Sequence, residues 1–458
     1  MEPLHEDVPP LSTDLKVSLQ RCSTILPAEK TQRRSIFLSN IDQVLNFTVE
    51  SVHFFLANPA FPPETVAQML ERALQKLLVE YDFLAGRLRF NPQQGRLEID
   101  CNSAGVGFSV ATSELSLEEV GDLVYPNPAF GQLMMDKLCS LETDDQPLCA
   151  LQVTSFRCGG FAMGVCTNHV LFDGIGFKMF LHNLASLVGN KPLAVTPCND
   201  RQLLAARSPP TINFPHPELV RFEIPNGIDQ SHTTALLQST YGDLEFKIFP
   251  LSTDDIYHLK EKAKLGQSKN GPTPTHATSF NVVTAHVWRC MALAKDVGQS
   301  PEKKSTSTVL YAADIRRRLS PPLPPSYGGN AVVMAYATAS FSEIEGGPFS
   351  HLVEMVSDGA RRLEDEYIRS VIDWGELNKG FPMGDVLISS WWRLGFSQVE
   401  YPWGRPKYCC PIVHHKKDLI LLLPDINEDT KGNGVNVLVA LPIKELKKFQ
   451  SLFNELLA

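Results

Sequence analysis

The 458-residue sequence lacks several features that would each indicate a broad class of protein. Its longest apolar runs, such as residues 419–423, are far shorter than the roughly 20 residues that a helix needs to cross a bilayer. Lys and Arg number 42 against 51 for Asp and Glu, and the resulting formal charge of -9 argues against a nucleic-acid-binding protein. Residues 1–14 begin with acidic side chains and contain no apolar core, which is unlike a signal peptide. We therefore expect a cytoplasmic protein without a membrane span.

The ten cysteines include no CxxC pair, so the sequence predicts neither a zinc site nor a redox dithiol. The only adjacent histidines, His414 and His415, have no further candidate ligand placed near them by the sequence, and we expect no metal. No internal repeat of about 20–50 residues is visible, which excludes solenoids and propellers. The 43% apolar content is enough to build large cores, so global disorder is excluded as well.

The apolar pattern predicts strands and helices in both halves of the chain, without strict alternation, which indicates an α/β protein with mixed sheets. A proline-rich stretch over residues 191–217 has little periodicity and is typical of a crossing loop. We predict an N-terminal lobe over residues 1–190, a crossover linker over 191–220 and a C-terminal lobe over 221–458. Part of 380–405 is a candidate for packing with the N-terminal lobe. The spacing predicts helices over 63–81, 279–293 and 443–456, and strands over 51–56, 161–166, 244–249, 309–314, 331–339 and 434–441.

The segment most informative about chemistry is residues 159–174, where a buried strand is followed by a turn and a helix. His169 and Asp173 lie in this turn, and loops at strand ends are common positions for catalytic side chains. Histidine suits general-base catalysis near neutral pH, whereas Asp173 could cap the helix or orient the imidazole. From the spacing alone, a structural histidine and a capping aspartate are the commoner explanation. The chain contains no G-x-S-x-G elbow, P-loop or dinucleotide fingerprint.

Six segments, in order along the chain, resemble motifs of the plant BAHD acyltransferases, which transfer acyl groups from coenzyme A thioesters. The segment 169–174 resembles the family's H-x-x-x-D-G motif. Within the family, the sequence resembles members near the hydroxycinnamoyl and fatty-alcohol transferases. The other five segments are 37–42, 84–88, 284–289, 314–330 and 390–404. One departure is clear: residues 400–404 read Glu-Tyr-Pro-Trp-Gly where the family has Asp-Phe-Gly-Trp-Gly, and Pro402 is expected to change the conformation of this loop.

The resemblance implies two chloramphenicol-acetyltransferase-like lobes with mixed β-sheets and a channel between them. It also implies an acyl-CoA-dependent O-acyltransferase that is monomeric, holds no permanent cofactor and takes acyl-CoA as a co-substrate with a small-molecule alcohol. In this scheme His169 is the general base, and Ser389 lies where relatives place a hydroxyl near the oxyanion. Asp173 is structural, as is Gly174, and Asp173 pairs with an arginine for which our candidate is Arg316.

The remaining candidates concern the two substrates. Coenzyme A is anionic, so we expect local positive charge and a helix N-terminus to bind it. The candidates for this role are Lys269, Thr278 and Ser279. Asp314, the first residue of the motif at 314–330, is a further candidate for the coenzyme A site. Trp391 is a candidate for lining the acceptor pocket, with a buried core tryptophan as the alternative.

Two other functions stay open at this point. One is a non-catalytic BAHD-like protein that assists fatty-acid elongation, and the other is an N-acyltransferase that acts on amines.

Overall fold

The structure is a computed structural model that describes residues 13–124, 127–135, 145–221, 244–265, 277–295, 305–412, 417–425 and 434–457. Lys269, His414 and His415 lie outside the described residues. The chain divides into two compact units, each assembled from separate stretches. The first unit comprises Met1–Leu203, Ser326–Asn330 and Gly395–Val413, and the second comprises Leu204–Pro325, Ala331–Leu394 and His414–Ala458.

The first unit is built on a six-stranded mixed sheet in the order β1-β6-β7-β8-β3-β15, in which only β6 and β7 run parallel. A second, three-stranded antiparallel sheet has the order β2-β5-β4. The strands are β1 Val17–Ile25, β2 Arg34–Phe37, β3 Thr48–Phe55, β4 Arg87–Asn91, β5 Arg96–Cys101, β6 Val106–Ser113, β7 Cys149–Ser155, β8 Phe161–Asn168 and β15 Tyr408–Pro411, and the helices are α1 Asn40–Gln43, α2 Pro63–Glu80, α3 Leu117–Val120 and α4 Gly174–Val188.

Helix α2 shows how the sequence produces this unit. It begins at Pro63, and the N–H that proline lacks would have no partner within the helix at this first position. Val66, Leu70, Leu74 and Leu77 recur at helical spacing and are fully buried. The helix is therefore fixed by its apolar stripe rather than by its end.

The second unit contains a six-stranded sheet in the order β10-β17-β16-β14-β11-β12, with β14 parallel to both of its neighbours, and a two-stranded ribbon of β9 and β13. The strands are β9 Leu219–Arg221, β10 Leu244–Leu251, β11 Thr306–Asp314, β12 Val332–Ser340, β13 Gly380–Pro382, β14 Val386–Ser390, β16 Leu419–Pro424 and β17 Val435–Pro442. The helices are α5 Thr253–Leu265, α6 Ser279–Ala294, α7 Phe341–Gly346, α8 Phe349–Arg361, α9 Asp365–Leu377 and α10 Ile443–Leu457.

One face of this second sheet carries a helix. Tyr311 of β11 points to that face, because its hydroxyl donates a short hydrogen bond to the Val356 carbonyl of α8. Gly359 of α8 lies so close to β12 that a Cβ there would stand 2.4 Å from the Tyr336 carbonyl oxygen. Since side chains alternate along a strand, Ser389 of β14 points to the opposite face from Ile388, which pairs with Tyr311.

The predicted α/β class with mixed sheets in both halves is confirmed. The helices predicted over 63–81, 279–293 and 443–456 are present; each begins at the predicted residue and ends one residue from the predicted end. Within the described residues, no helix is both long and apolar enough to span a membrane.

A buried histidine in α6 makes stability depend on pH. His286 packs against Phe453 of α10 with ring centroids 4.6 Å apart, and burial lowers the pKa of His286 to about 4. The unfolded chain, with a histidine pKa of about 6.5, binds the proton more readily. As the pH falls below about 6.5, the unfolded chain takes up a proton at His286 that the folded protein does not, and this uptake favours unfolding.

We predict that replacing this histidine with a leucine, as H286L, reduces the loss of stability in acid. Between pH 7 and pH 4 the wild type should lose about 3 kcal/mol more unfolding free energy than the variant. Urea unfolding at a series of pH values measures the difference. Parallel pH curves for the two proteins would contradict the prediction.

Candidate active site

The site is built around the turn between β8 and α4. Strand β8 is an inner strand of the first sheet, paired with β7 on one side and β3 on the other. The residues of β8 are mostly buried, and the turn that begins at His169 follows directly from the end of this well-packed strand. Helix α4 then begins at Gly174. The predicted strand–turn–helix arrangement is therefore present.

Asp173 is the N-cap of α4. Its Oδ1 accepts hydrogen bonds from the N–H groups of Ile175 at 3.1 Å and Gly176 at 3.0 Å. These donors have no partner within the helix, and a carboxylate there also complements the positive end of the helix dipole. The side chain is buried, with 3% of the residue exposed. The geometry thus makes Asp173 the N-terminal cap of α4.

His169 is half-buried at the end of β8. The backbone N–H of His169 donates to the Phe47 carbonyl at 2.8 Å, and the ring of Phe47 packs against the imidazole with centroids 5.1 Å apart. Among the described residues, the imidazole Nδ1 has no hydrogen-bond partner. Burial lowers the pKa of His169, while smaller effects of its own backbone, the Asp173 charge, the Asn330 side chain and the Asp42 charge oppose that change.

Behind the turn lies a set of buried polar residues that the sequence did not predict as functional. Asp42, which is fully buried, accepts hydrogen bonds at Oδ1 from Arg201 Nη1 at 2.6 Å and from Asn330 Nδ2 at 2.7 Å. Asn330 Nδ2 also donates to the His169 carbonyl at 2.8 Å. Asp42 and Asn330 lie in segments with family resemblance, which is the one sequence signal that could have drawn attention to them. No sequence signal marked Arg201.

The candidate donor-binding residues lie in the second unit where the structure describes them. Thr278 is the exposed N-cap of α6, and its Oγ1 accepts from the Asn281 N–H at 3.1 Å. Ser279 is the first residue of that helix. Asp314, at the end of β11, accepts from Arg316 Nη1 at 2.9 Å. The predicted pairing of Arg316 with Asp173 stays a prediction.

Ser389 and Trp391 lie at the end of β14, and both are half-buried. Ser389 is paired in register with Leu421 of β16, and the Trp391 N–H donates to the Leu422 carbonyl at 2.8 Å. Their predicted roles at the oxyanion and in the acceptor pocket stay predictions. Within the described residues, no group of three or more His, Cys, Asp or Glu side chains is arranged to hold a metal ion.

The segment 400–404 belongs to the first unit and forms a turn. The Gly404 N–H donates to the Tyr401 carbonyl at 2.9 Å, which places Pro402 at the second turn position, where its fixed φ fits. Tyr401 and Trp403 are buried and stack on each other, with ring centroids 5.1 Å apart. Of the two changed residues, Tyr401 therefore lies in an aromatic core beside Phe55, whereas Pro402 is exposed at the turn.

Comparison with known proteins defines the class. A family model described as "Transferase family" matches residues 15–456. Acyltransferase GLAUCE of Arabidopsis thaliana is 56% identical over 99% of each chain. Omega-hydroxypalmitate O-feruloyl transferase of the same plant is 32% identical over 96% of this chain and 93% of its own length. Fatty alcohol:caffeoyl-CoA acyltransferase, also from that plant, is 32% identical over 97% of this chain and 99% of its own.

Solved structures show the same fold. Vinorine synthase superposes with a TM-score of 0.69 at 23% identity, covering 95% of this chain and 98% of that one. TRI101 of F. graminearum in complex with ethyl coenzyme A gives a TM-score of 0.70 at 14% identity over 92% and 97% of the two chains. The family match and the named acyltransferases among the relatives define an acyltransferase. The chain belongs to the BAHD family, as the resemblance of its motifs predicted.

We predict that the cap, and not the negative charge, is what Asp173 mainly supplies to stability. D173A should lower the unfolding free energy by about 1 kcal/mol, because two N–H groups at the start of α4 lose their acceptor. D173N keeps an oxygen at that position and should retain most of the stability. Chemical denaturation of the three proteins measures this, and equal losses in both variants would show that the charge dominates.

Proposed function

We propose that this protein transfers an acyl group from a coenzyme A thioester to a hydroxyl group of a plant small molecule, with His169 as the general base. The observation that carries the proposal is the imidazole itself, half-buried at a rigid strand end with a lowered pKa. A lowered pKa leaves the ring neutral at physiological pH and able to accept a proton. Direct transfer, with both substrates bound at once, requires no acyl-enzyme.

In the proposed reaction, one histidine carries the proton from the acceptor hydroxyl to the leaving sulfur. An imidazole nitrogen of His169 takes the proton of the acceptor hydroxyl, and the oxygen forms a bond to the thioester carbonyl carbon. The tetrahedral oxyanion then collapses, the carbon–sulfur bond breaks, and the coenzyme A sulfur leaves with the proton that the histidine has held. A positioned base of this kind typically contributes a factor of about 10²–10⁴ in rate.

Support for an oxygen acceptor and an acyl-CoA donor comes from the names of relatives. The omega-hydroxypalmitate and fatty-alcohol transferases are named for hydroxyl-bearing acceptors, and the second also for caffeoyl-CoA. An amine acceptor is a second candidate, because a hydroxycinnamoyl-CoA:5-hydroxyanthranilate N-hydroxycinnamoyltransferase of Avena sativa is 30% identical over 96% of this chain. The comparisons favour either transferase over the non-catalytic accessory protein.

For the donor, we propose that the first turn of α6 contacts the coenzyme A phosphates. Thr278 caps this helix and Ser279 begins it, and backbone N–H groups at a helix start suit phosphate. Lys269 is proposed to add positive charge from its position in the sequence. Asp314 is proposed to act through Arg316, with which it forms an ion pair.

The decisive assay incubates purified protein with acetyl-, malonyl-, benzoyl-, hydroxycinnamoyl- and long-chain acyl-CoA against pooled alcohols and amines, and measures product masses. For the productive pair, H169A should lower kcat by about 10²–10⁴-fold, because the base is missing. H182A, on the same helix α4 but well past the turn, is the control and should retain activity. Full activity in H169A would refute the proposed base.

Ser389 is proposed to donate a hydrogen bond to the oxyanion. Its support is its motif position and its half-buried place on the sheet face opposite Ile388. S389A should lower kcat by about 10²-fold while the KM for acyl-CoA changes little, since the bond forms only in the transition state. Steady-state kinetics on the productive pair tests this, with S390A as the neighbouring control. Equal kcat values for S389A and wild type would remove Ser389 from the mechanism.

A further inference from the structure

The turn that carries His169 presents three consecutive backbone carbonyls to buried donors. The His169 carbonyl accepts from Asn330 Nδ2 at 2.8 Å, the Val170 carbonyl accepts from Arg201 Nη1 at 3.3 Å, and the Leu171 carbonyl accepts a short hydrogen bond from Arg201 Nη2. Turn carbonyls buried without such donors would be costly to desolvate. The two side chains therefore fix the backbone on which the imidazole stands.

Both donors are anchored on one carboxylate. Asp42 Oδ1 accepts from Arg201 and from Asn330, while Oδ2 accepts from the backbone N–H and hydroxyl of Ser39 at 2.8 and 2.7 Å. The side chains of Arg201 and Asp42 are 1% and 0% exposed. A buried ion pair adds little net stability over an apolar replacement, so its value lies in geometry. Here that geometry is the forked arrangement of guanidinium donors.

Close backbone contacts hold the segment that carries Asn330 against α4 and Arg201. A Cβ on Gly176, in the first turn of α4, would stand 2.2 Å from the Gly328 carbonyl oxygen. A Cβ on Gly329 would stand 2.7 Å from the Arg201 guanidinium. The segment Ser326–Asn330 therefore passes directly against α4 and Arg201, and at Gly176 the backbone approach leaves no room for a side chain.

The imidazole and Asn330 also have complementary polar atoms. His169 Nδ1 and Asn330 Oδ1 are both buried, and neither has a partner among the described residues. The neutral ring can carry its hydrogen on Nδ1, and the amide oxygen accepts. A hydrogen bond between them would leave Nε2 as the nitrogen that takes the proton. The Asn330 side chain is close enough to raise the pKa of His169.

We infer that Asp42, Arg201 and Asn330 form a positioning network that sets the orientation and tautomer of the His169 imidazole for acyl transfer. The inference rests on the proposed function, since it concerns the same base. None of the three residues is required to touch a substrate. They act through the backbone of the turn and, for Asn330, through the ring, and they are positioning residues rather than catalytic ones.

The main test compares two buried asparagines of the first unit. N330A should lower kcat by about 10²-fold, the size of effect expected when a reacting group is misplaced by about an ångström, with little change in either KM. N183A is the matched control. Asn183, on α4, donates to the Tyr81 hydroxyl and the Val195 carbonyl at 2.8 Å each, and its loss should destabilise the fold while leaving kcat near wild type.

A spectroscopic measurement separates positioning from general destabilisation. ¹⁵N NMR of histidine-labelled protein, with the His169 signal identified by its loss in H169A, should show the Nδ1–H tautomer in wild type and a mixture in N330A. N183A should keep the wild-type pattern. Wild-type kcat together with an unchanged tautomer in N330A would overturn the inference.

A second variant covers the case in which N330A does not fold. R201K keeps the positive charge beside Asp42 but loses the fork that reaches two carbonyls. It should lower kcat more than tenfold with KM nearly unchanged, and wild-type kcat in R201K would overturn the inference.

The two proposals fail differently. An active H169A would contradict the proposed function, whereas an inactive H169A beside fully active N330A and R201K would contradict only the positioning network.

Discussion

The buried carboxylate of Asp42 is the constraint on which the rest of the site depends. It neutralises Arg201, accepts from Asn330 and caps its own helix through Ser39. Without it, a guanidinium and an amide would be buried beside the turn with unmet donors, and three backbone carbonyls would lose fixed partners. One residue near the start of the chain thus joins segments about 130 to 290 residues away in sequence.

The pKa of His169 reflects a balance between burial and nearby charge. Burial lowers the pKa of the imidazole and keeps it neutral, while Asp42 and Asp173 keep negative charge close enough to limit that decrease. A base that is too weak would not accept the proton, and one that is too strong would already hold it. The half-buried ring also packs against Phe47, with the ring centroids 5.1 Å apart.

The departure from the family at residues 400–404 has a local explanation. Pro402 occupies a turn position that suits its φ, Gly404 has a φ of 114°, and the exposed Glu400 pairs with Arg405. Tyr401 and Trp403 fill an aromatic core with Phe55 and Phe161. Of the three changed residues, only Tyr401 is buried in this core, while Glu400 and Pro402 are exposed.

The sequence by itself determined the family, the mixed α/β class and the strand–turn–helix around His169, and it offered a helix cap as one of two roles for Asp173. These depend on local periodicity and on residue types at short spacing, which a linear pattern records. Tertiary structure alone decided that Asp42, Arg201 and Asn330 meet behind that turn, and that Ser326–Asn330 joins the first unit. Contacts between residues so distant in sequence arise from how strands and loops pack, and no local pattern encodes that packing.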